Sequence, residues 1–311
     1  MNIIETSKLV KRYKNLTAVD KIDLDVREGE VFGLLGPNGA GKSTLMGMLV
    51  GTLKVSEGSV RVLGKDISRD SSAIKKDIGY VPQDLAFFEK LNAYDNVIYW
   101  GRLYGLEGSE LKSAVQEALE FTGLWDRRKE TSENFSGGMK RRLNIACAIV
   151  HKPKLLFMDE PTVGVDPQSR NSILDSIRKL NHNGTTVIYT SHYMEEVEAI
   201  CDRVGIIDFG KLIAVGTVDE LVTKIAKEEF LTIEINNMSL QLAEAIKRLP
   251  GVTSCERSQN VLSIHVNPSI MSTIQLLEML IAKRIDIKAI NAEKPNLETV
   301  FLSLTGKKLR D

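Results

Sequence analysis

Cysteine is scarce in this chain: Cys147, Cys201 and Cys255 are the only three in 311 residues. The count is odd, the spacing is wide and no C-x-x-C pair occurs. Neither a disulfide framework nor a zinc site is expected, and the thiols suit a reducing compartment as small buried apolar residues. An excess of one charge is also lacking, since 41 Lys+Arg face 41 Asp+Glu. A protein held to nucleic acid by bulk electrostatics carries a basic surplus, so no nucleic-acid partner is expected. No apolar run approaches the ~18–20 residues that a membrane helix needs. The start, MNIIETSKLV, lacks the basic residues and apolar core of a signal peptide. The expectation is a soluble, cytoplasmic chain that depends on another chain for any membrane span.

What is present is enough apolar material for a core, 43% of residues against 26% charged, and a length that favours two domains. Residues 1 to about 30 alternate short apolar stretches with charge and turns, as antiparallel strands do. Val31-Phe32-Gly33-Leu34-Leu35 is a nearly unbroken apolar run that ends in GPNGAGKST and is followed by LMGMLVG, the order strand, loop, helix. From about 85 to 150 the pattern is helical; Leu111, Val115, Ala118, Leu119 and Thr122 share one face and Gly123 closes it. Leu155–Met158 and Thr186–Tyr189 read as further buried strands. Between them Asp166 caps a helix that has Pro167 in its first turn and Ile173, Leu174, Ile177 and Leu180 as its stripe. Buried strands alternating with helices imply a parallel sheet covered on both faces. The character changes near 225: strand 230–235, helix 240–249, strands 252–256 and 261–266, helix 270–283 and strand 285–290. That β-α-β-β-α-β order suits a ferredoxin-like domain. The expected division is 1–225 and 226–311, with a helical lobe at about 85–150.

Gly36, Pro37, Asn38, Gly39, Ala40, Gly41, Lys42 and Ser43 match G-x-x-x-x-G-K-[ST]. Glycines let the chain turn sharply and aim successive N–H groups at one anion. The helix N-terminus that follows favours negative charge. Lys42 is expected to reach terminal phosphates, Ser43 to place its hydroxyl on Mg²⁺, and Thr44 to add a phosphate contact. In K-L-L-F-M-D-E-P a buried strand delivers Asp159 and Glu160 to its carboxyl end, where α/β sheets bind ligands. Asp159 fits a carboxylate that holds Mg²⁺, or a water on it, and Glu160 a base that orients or deprotonates the attacking water.

Asn134-Phe135-Ser136-Gly137-Gly138-Met139, leading into KRRLNIACAIV, resembles the signature of the ATP-binding cassette (ABC) ATPase family. The resemblance covers about residues 3–220, with the motifs in the family's order. By resemblance, Tyr13 matches the aromatic that stacks on adenine. Gln83 in GYVPQD matches the glutamine that senses Mg²⁺ and the attacking water and faces the membrane partner. Asp166 in VGVDP matches the loop that crosses to the opposite subunit, and His192 in YTSHYMEE the switch histidine on the γ-phosphate. Phe135 and Met139 replace the commoner Leu and Gln of the signature; phenylalanine need only fill a pocket, whereas methionine removes an amide. Lys140-Arg141-Arg142 reads as a solvated helix face and partly as a nearby pairing site, not as a DNA patch.

The resemblance implies an α/β P-loop NTPase core with a parallel sheet, an antiparallel β subdomain and a helical lobe. It also implies ATP and Mg²⁺ as cofactors and a head-to-tail dimer, homodimeric or with a second ABC ATPase. There ATP on one chain's Gly36–Thr44 loop is capped by the other's Ser136, Gly137, Gly138 and Met139. Permease subunits on separate chains would place the protein on the inner face of the membrane. S-G-G-M-K-R-R and the tail N-L-E-T-V-F-L-S-L-T-G-K-K-L-R-D are similar to exporters of the ABC-2 and drug-resistance type. Import stays open as the alternative, because some importer ATPases carry a ferredoxin-like C-terminal domain. A non-transport ABC ATPase is the remoter alternative, as no heptad tract lies between residues 44 and 136.

Overall fold

The structure is a computed structural model that describes all residues except 226–228, 237–239, 269, 284, 294–295 and 306–311. Its contacts divide the chain into two units, one spanning Met1–Thr217 and one beginning at Val218. Among the described residues no helix is long and apolar enough to cross a membrane.

The first unit runs β1 (Asn2–Tyr13), β2 (Leu16–Arg27), β3 (Val31–Leu35), α1 (Lys42–Val50), β4 (Glu57–Val62), β5 (Lys65–Asp66), α2 (Ile67–Lys75), β6 (Ile78–Val81), α3 (Ala93–Leu103), α4 (Gly108–Phe121), α5 (Gly137–Ile149), β7 (Leu155–Asp159), α6 (Pro167–His182), β8 (Thr186–Ser191), α7 (Met194–Ile200), β9 (Arg203–Asp208) and β10 (Lys211–Gly216). Six strands form the central sheet in the order β10-β9-β3-β8-β7-β6, all parallel apart from the edge strand β10. Every residue of β3, β7 and β8 is buried, which is why these segments read as unbroken apolar runs. The period of two shows on β3: Phe32 and Leu34 join α1 and the antiparallel strands in one core, while Gly33 sits against Val197 and Cys201 at α7. A second sheet, β2-β1-β4-β5, is antiparallel. Helices α3, α4 and α5 pack together as the helical lobe. The stripe expected on α4 is buried at Leu111, Val115, Ala118 and Leu119, and Gly123 ends the turn at φ 66°.

The second unit runs α8 (Val218–Ile225), β11 (Glu229–Ile235), α9 (Leu240–Lys247), β12 (Val252–Ser258), β13 (Val261–Val266), α10 (Thr273–Ala282), β14 (Ile287–Glu293) and α11 (Leu297–Thr305). Its antiparallel sheet has the order β12-β13-β11-β14, the ferredoxin-like arrangement. Alternation on β11 and β13 turns Leu231, Ile233, Ile235, Leu262, Ile264 and Val266 into one core with Leu276 and Leu280 of α10. The last strand starts at Ile287 rather than 285 and extends to Glu293, because pairing with β11 continues from Ile235↔Ile287 to Phe230↔Glu293. Helix α8 belongs to this unit, where it packs against α11, so the unit begins ahead of the expected division at 225/226. The end of the exporter-like tail, 306–311, lies outside the described residues.

Candidate functional site

The loop after β3 turns tightly beneath its neighbours. A side chain at Gly36 would strike the backbone of Ile207, and one at Gly41 that of Ala18; Gly41 adopts φ 105°, a conformation open to glycine. Gly41 is the N-cap of α1, and no side chain caps that helix. Its first N–H groups are therefore directed at the loop. Lys42, 5% exposed, folds back over the turn and donates to Gly36 O at 2.7 Å and Pro37 O at 3.2 Å. A cavity of about 600 Å³ opens here, lined by Pro37, Asn38, Gly39, Gly41, Lys42, Ser43 and Thr44 from the loop and α1. Tyr13, Leu16, Gln83, Glu160 and Phe209 close its other sides. Gly36 and Ala40 support the turn from below; Ala40 is 2% exposed.

Three predicted groups converge on one carboxylate. Glu160 Oε1 lies 3.4 Å from Lys42 Nζ. Its Oε2 accepts from Gln83 Nε2 at 3.3 Å and lies 3.7 Å from His192 Nδ1. Glu160 is held at φ 47°, a left-handed conformation that costs a non-glycine residue about 1–3 kcal/mol. Thr190 on the neighbouring strand holds it there: the Thr190 hydroxyl accepts the Glu160 N–H at 2.9 Å and donates to Asp159 Oδ1 at 2.7 Å. One buried hydroxyl thus fixes both members of the acid pair, as the β7–β8 register opposes Asp159 and Thr190. Burial and the nearby Asp159 carboxylate push the Tyr80 phenol up to about 12.

The signature residues gather elsewhere in the unit. Ser136 is the N-cap of α5 and accepts the Met139 N–H at 3.3 Å. Ser136 and Gly137 are exposed, while Phe135 is buried, 5% exposed. Asp166 caps α6 by accepting the Ser169 N–H at 2.9 Å, which holds its carboxyl below the usual range. The two helix starts touch: a side chain at Gly138 would collide with Ser169 and come within 3.4 Å of Asp166 Oδ2. None of Ser136, Gly137, Gly138, Met139 and Asp166 lines the cavity.

The ABC transporter family matches residues 19–163. The chain is 43% identical over 311 residues to the linearmycin resistance ATP-binding protein LnrL of Bacillus subtilis (strain 168), covering 99% of this chain and 100% of LnrL. It is 38% identical over 307 residues to the daunorubicin/doxorubicin resistance ATP-binding protein DrrA of Streptomyces peucetius, 97% of this chain and 92% of DrrA. Among solved structures, cbiO1 of Clostridium perfringens, part of an ABC transporter complex, aligns with a TM-score of 0.65 at 30% identity, over 72% of this chain and 94% of that one. This chain belongs to the ATP-binding subunits of ABC transporters. It is an ATPase of that family, with the P-loop fold the sequence resemblance implied.

Within this cassette three residues outside the expected set hold the motifs in place. Arg141 is 6% exposed and donates to Pro82 O at 3.1 Å and Gln83 O at 2.9 Å, fixing the backbone of the glutamine loop. This corrects the solvated-face part of the Lys140-Arg141-Arg142 reading and agrees with its pairing part. Lys140 pairs with Glu89 at 2.9 Å and Arg142 donates to Thr122 O at 3.1 Å, so all three side chains have partners in this unit. Thr190 is the second, as described. Glu196 is the third, 3% exposed behind His192. Arg141 lies one turn into α5 from Gly137, and Thr190 and Glu196 flank His192 in YTSHYMEE; their position beside recognised motifs was the available signal.

Proposed function

We propose that this chain powers export through an ABC-2 type transporter, hydrolysing ATP at the cavity between its P-loop and Glu160. The observation that carries the reading is the convergence of Lys42, Gln83 and His192 on the Glu160 carboxylate beside a cavity of about 600 Å³. The full-length likeness to two resistance ATP-binding proteins supports export.

In this reading Tyr13 stacks on adenine, and the N–H groups of residues 36–44 with the Lys42 ammonium take the phosphates. Lys42 exchanges its bonds to Gly36 O, Pro37 O and Glu160 for phosphate oxygens. Glu160 takes the proton of the attacking water, and His192 contacts the γ-phosphate. The Ser43 hydroxyl, the Gln83 side-chain amide oxygen and the Asp159 carboxylate are the oxygen donors that would hold Mg²⁺, Asp159 by way of a water. Bound there, Mg²⁺ would neutralise phosphate charge. The separation of the cavity from Ser136, Gly137, Gly138 and Met139 supports a head-to-tail dimer, a homodimer or a pair with another ABC ATPase, whose signature caps the partner's ATP. Asp166 then lies on the crossing loop. The unit spanning Met1–Thr217 serves as the nucleotide-binding domain and the unit beginning at Val218 as an accessory domain.

Partner permeases on separate chains would hold the subunit on the inner face of the membrane. The segment after Gln83 supports such docking: Leu85 is 39% exposed and Phe88 49%, and Phe88 meets the 44% exposed Tyr99 edge-on at 4.9 Å. Affinity purification of Glu160→Gln with ATP from detergent-solubilised native membranes tests the proposal. A polytopic membrane protein should copurify. Reproducible recovery of soluble factors alone, with ATP binding intact, would remove the transport reading and leave the ATPase.

A further inference from the structure

Glu196 lies outside the nucleotide cavity, on α7, and is 3% exposed. Three hydroxyls converge on its Oε2: Ser191 Oγ and Tyr189 Oη at 2.7 Å, and Thr162 Oγ1 at 2.9 Å. Arg170 Nε on α6 lies 3.3 Å from Oε1. A carboxylate is costly to bury; here the three hydroxyls satisfy Oε2, while Oε1 has the Arg170 charge beside it but no hydrogen bond. Here the donors belong to segments that carry the proposed active site. Thr162 follows Glu160 by two residues, Tyr189 and Ser191 end the strand before His192, and Arg170 stands one turn after the Asp166 cap.

The geometry around His192 shows what this network holds. His192 Nδ1 is buried without a hydrogen-bond partner, so no bond of its own to Nδ1 orients the ring. Its backbone is fixed from both sides instead. The Ser191 hydroxyl, having given its proton to Glu196, accepts the Tyr193 N–H at 2.9 Å. The Tyr193 ring lies 4.1 Å from the His192 ring, and the Arg170 guanidinium covers the other aromatic at 4.6 Å. Glu196 therefore sets the direction of the Ser191 hydroxyl, and with Arg170 it sets the Tyr193 ring.

We propose that Glu196, together with Arg170, is a positioning residue for ATP hydrolysis: it fixes the 191–193 turn so that His192 faces Glu160, and it ties that turn to the Asp166 helix. The inference rests on the proposed role of His192. Glutamine at 196 keeps the size, but with its oxygen in the Oε2 position its amide N–H groups face the Arg170 Nε–H donor, and with the amide turned over the three hydroxyls lose their acceptor, so either orientation breaks one side of the network.

The test uses the full chain with isotope-labelled histidine, which contributes only four signals, from His151, His182, His192 and His265. His192→Ala assigns its own resonance and separately tests the underlying reading, which fails if that variant keeps the wild-type kcat. Glu196→Gln is expected to shift or broaden the His192 signal alone. Its kcat should fall at least tenfold while ATP affinity changes less than threefold. Glu195→Gln, at the exposed neighbouring position, is the control and should change neither. Should Glu196→Gln fail to fold, Arg170→Gln decides: its side chain is 30% exposed, and the same selective change at His192 is expected. An unmoved His192 signal, or equal changes at all four histidines with the loss of kcat, would overturn the proposal.

Discussion

Lys42 and Glu160 meet across the nucleotide cavity with Nζ 3.4 Å from Oε1, both side chains less than a tenth exposed. The phosphate-seeking cation and the proposed base thus occupy each other in the chain alone. Lys42 also donates to two backbone carbonyls, so its ammonium is already oriented into the loop. Nucleotide binding exchanges these bonds for phosphate oxygens, and the Glu160 carboxylate is released to water.

Lys42→Ala should therefore lose the charged hydrogen bonds to phosphate. Bonds to charged groups contribute about 1.5–3 kcal/mol each, so ATP affinity is expected to fall at least ~10–100-fold. Equilibrium binding of labelled ATP measures this. Binding at the wild-type level would remove the phosphate-cradle assignment.

Gly138 is required within this chain for its own packing. A methyl group there meets Ser169 at the start of α6. Gly138→Ala should displace the α5 N-terminus at a cost of about 1–3 kcal/mol, as overpacking does. Ser169→Gly should restore much of that loss, because it removes the atoms the methyl strikes. Denaturant midpoints of the single and double variants check the coupling, and additive losses would contradict it.

The Arg141 guanidinium spans Pro82 O and Gln83 O. Arg141→Leu leaves Gln83 O without that donor in a part-buried loop. A destabilisation of about 1–3 kcal/mol is expected, together with a lower kcat from a looser Gln83. Chemical denaturation and steady-state hydrolysis measure the two effects. An unchanged kcat at reduced stability would limit Arg141 to a structural role.

His151 makes stability depend on acid. Its ring stacks on Tyr104 at 3.5 Å, and Nε2 donates to Ile78 O at 3.0 Å, leaving Nδ1 buried and unpartnered. Burial pushes its pKa down from 6.5 to about 4, against the opposing pull of Ile78 O and Asp77. Between these values the unfolded chain binds a proton that the native chain refuses, so stability falls as pH drops from about 6.5 to about 4. The loss from this group is on the order of 1–3 kcal/mol. His151→Phe keeps the ring and removes the titration, so its unfolding free energy should vary less over that window. An equal slope in both proteins would assign the acid sensitivity elsewhere.

The legible parts of this protein are those where spacing is itself the chemistry. Eight consecutive residues from Gly36 to Ser43 specify a loop and helix start, and a buried strand can present Asp159 and Glu160 only at its end. Burial on α4 follows the helical period, so Leu111, Val115, Ala118 and Leu119 were readable. Arg141 was not, because a charged triplet on a helix looks solvated until the glutamine loop packs over it. Thr190 and Glu196 act through hydrogen bonds between strands and helices far apart in sequence, and no periodicity encodes such pairings. The boundary of the second unit was displaced for a similar reason: α8 has a turn and helix pattern that suits either unit, and its packing on α11 decides.

The most direct measurement compares phosphate release by wild type and Glu160→Gln, with ATP binding determined on both. A general base contributes ~10²–10⁴-fold in rate. Glu160→Gln is expected to lose hydrolysis on that scale while binding ATP at least as tightly as wild type, since Lys42 is relieved of its carboxylate partner. Hydrolysis at the wild-type rate by Glu160→Gln would contradict the assignment of this site as the place where ATP is cleaved.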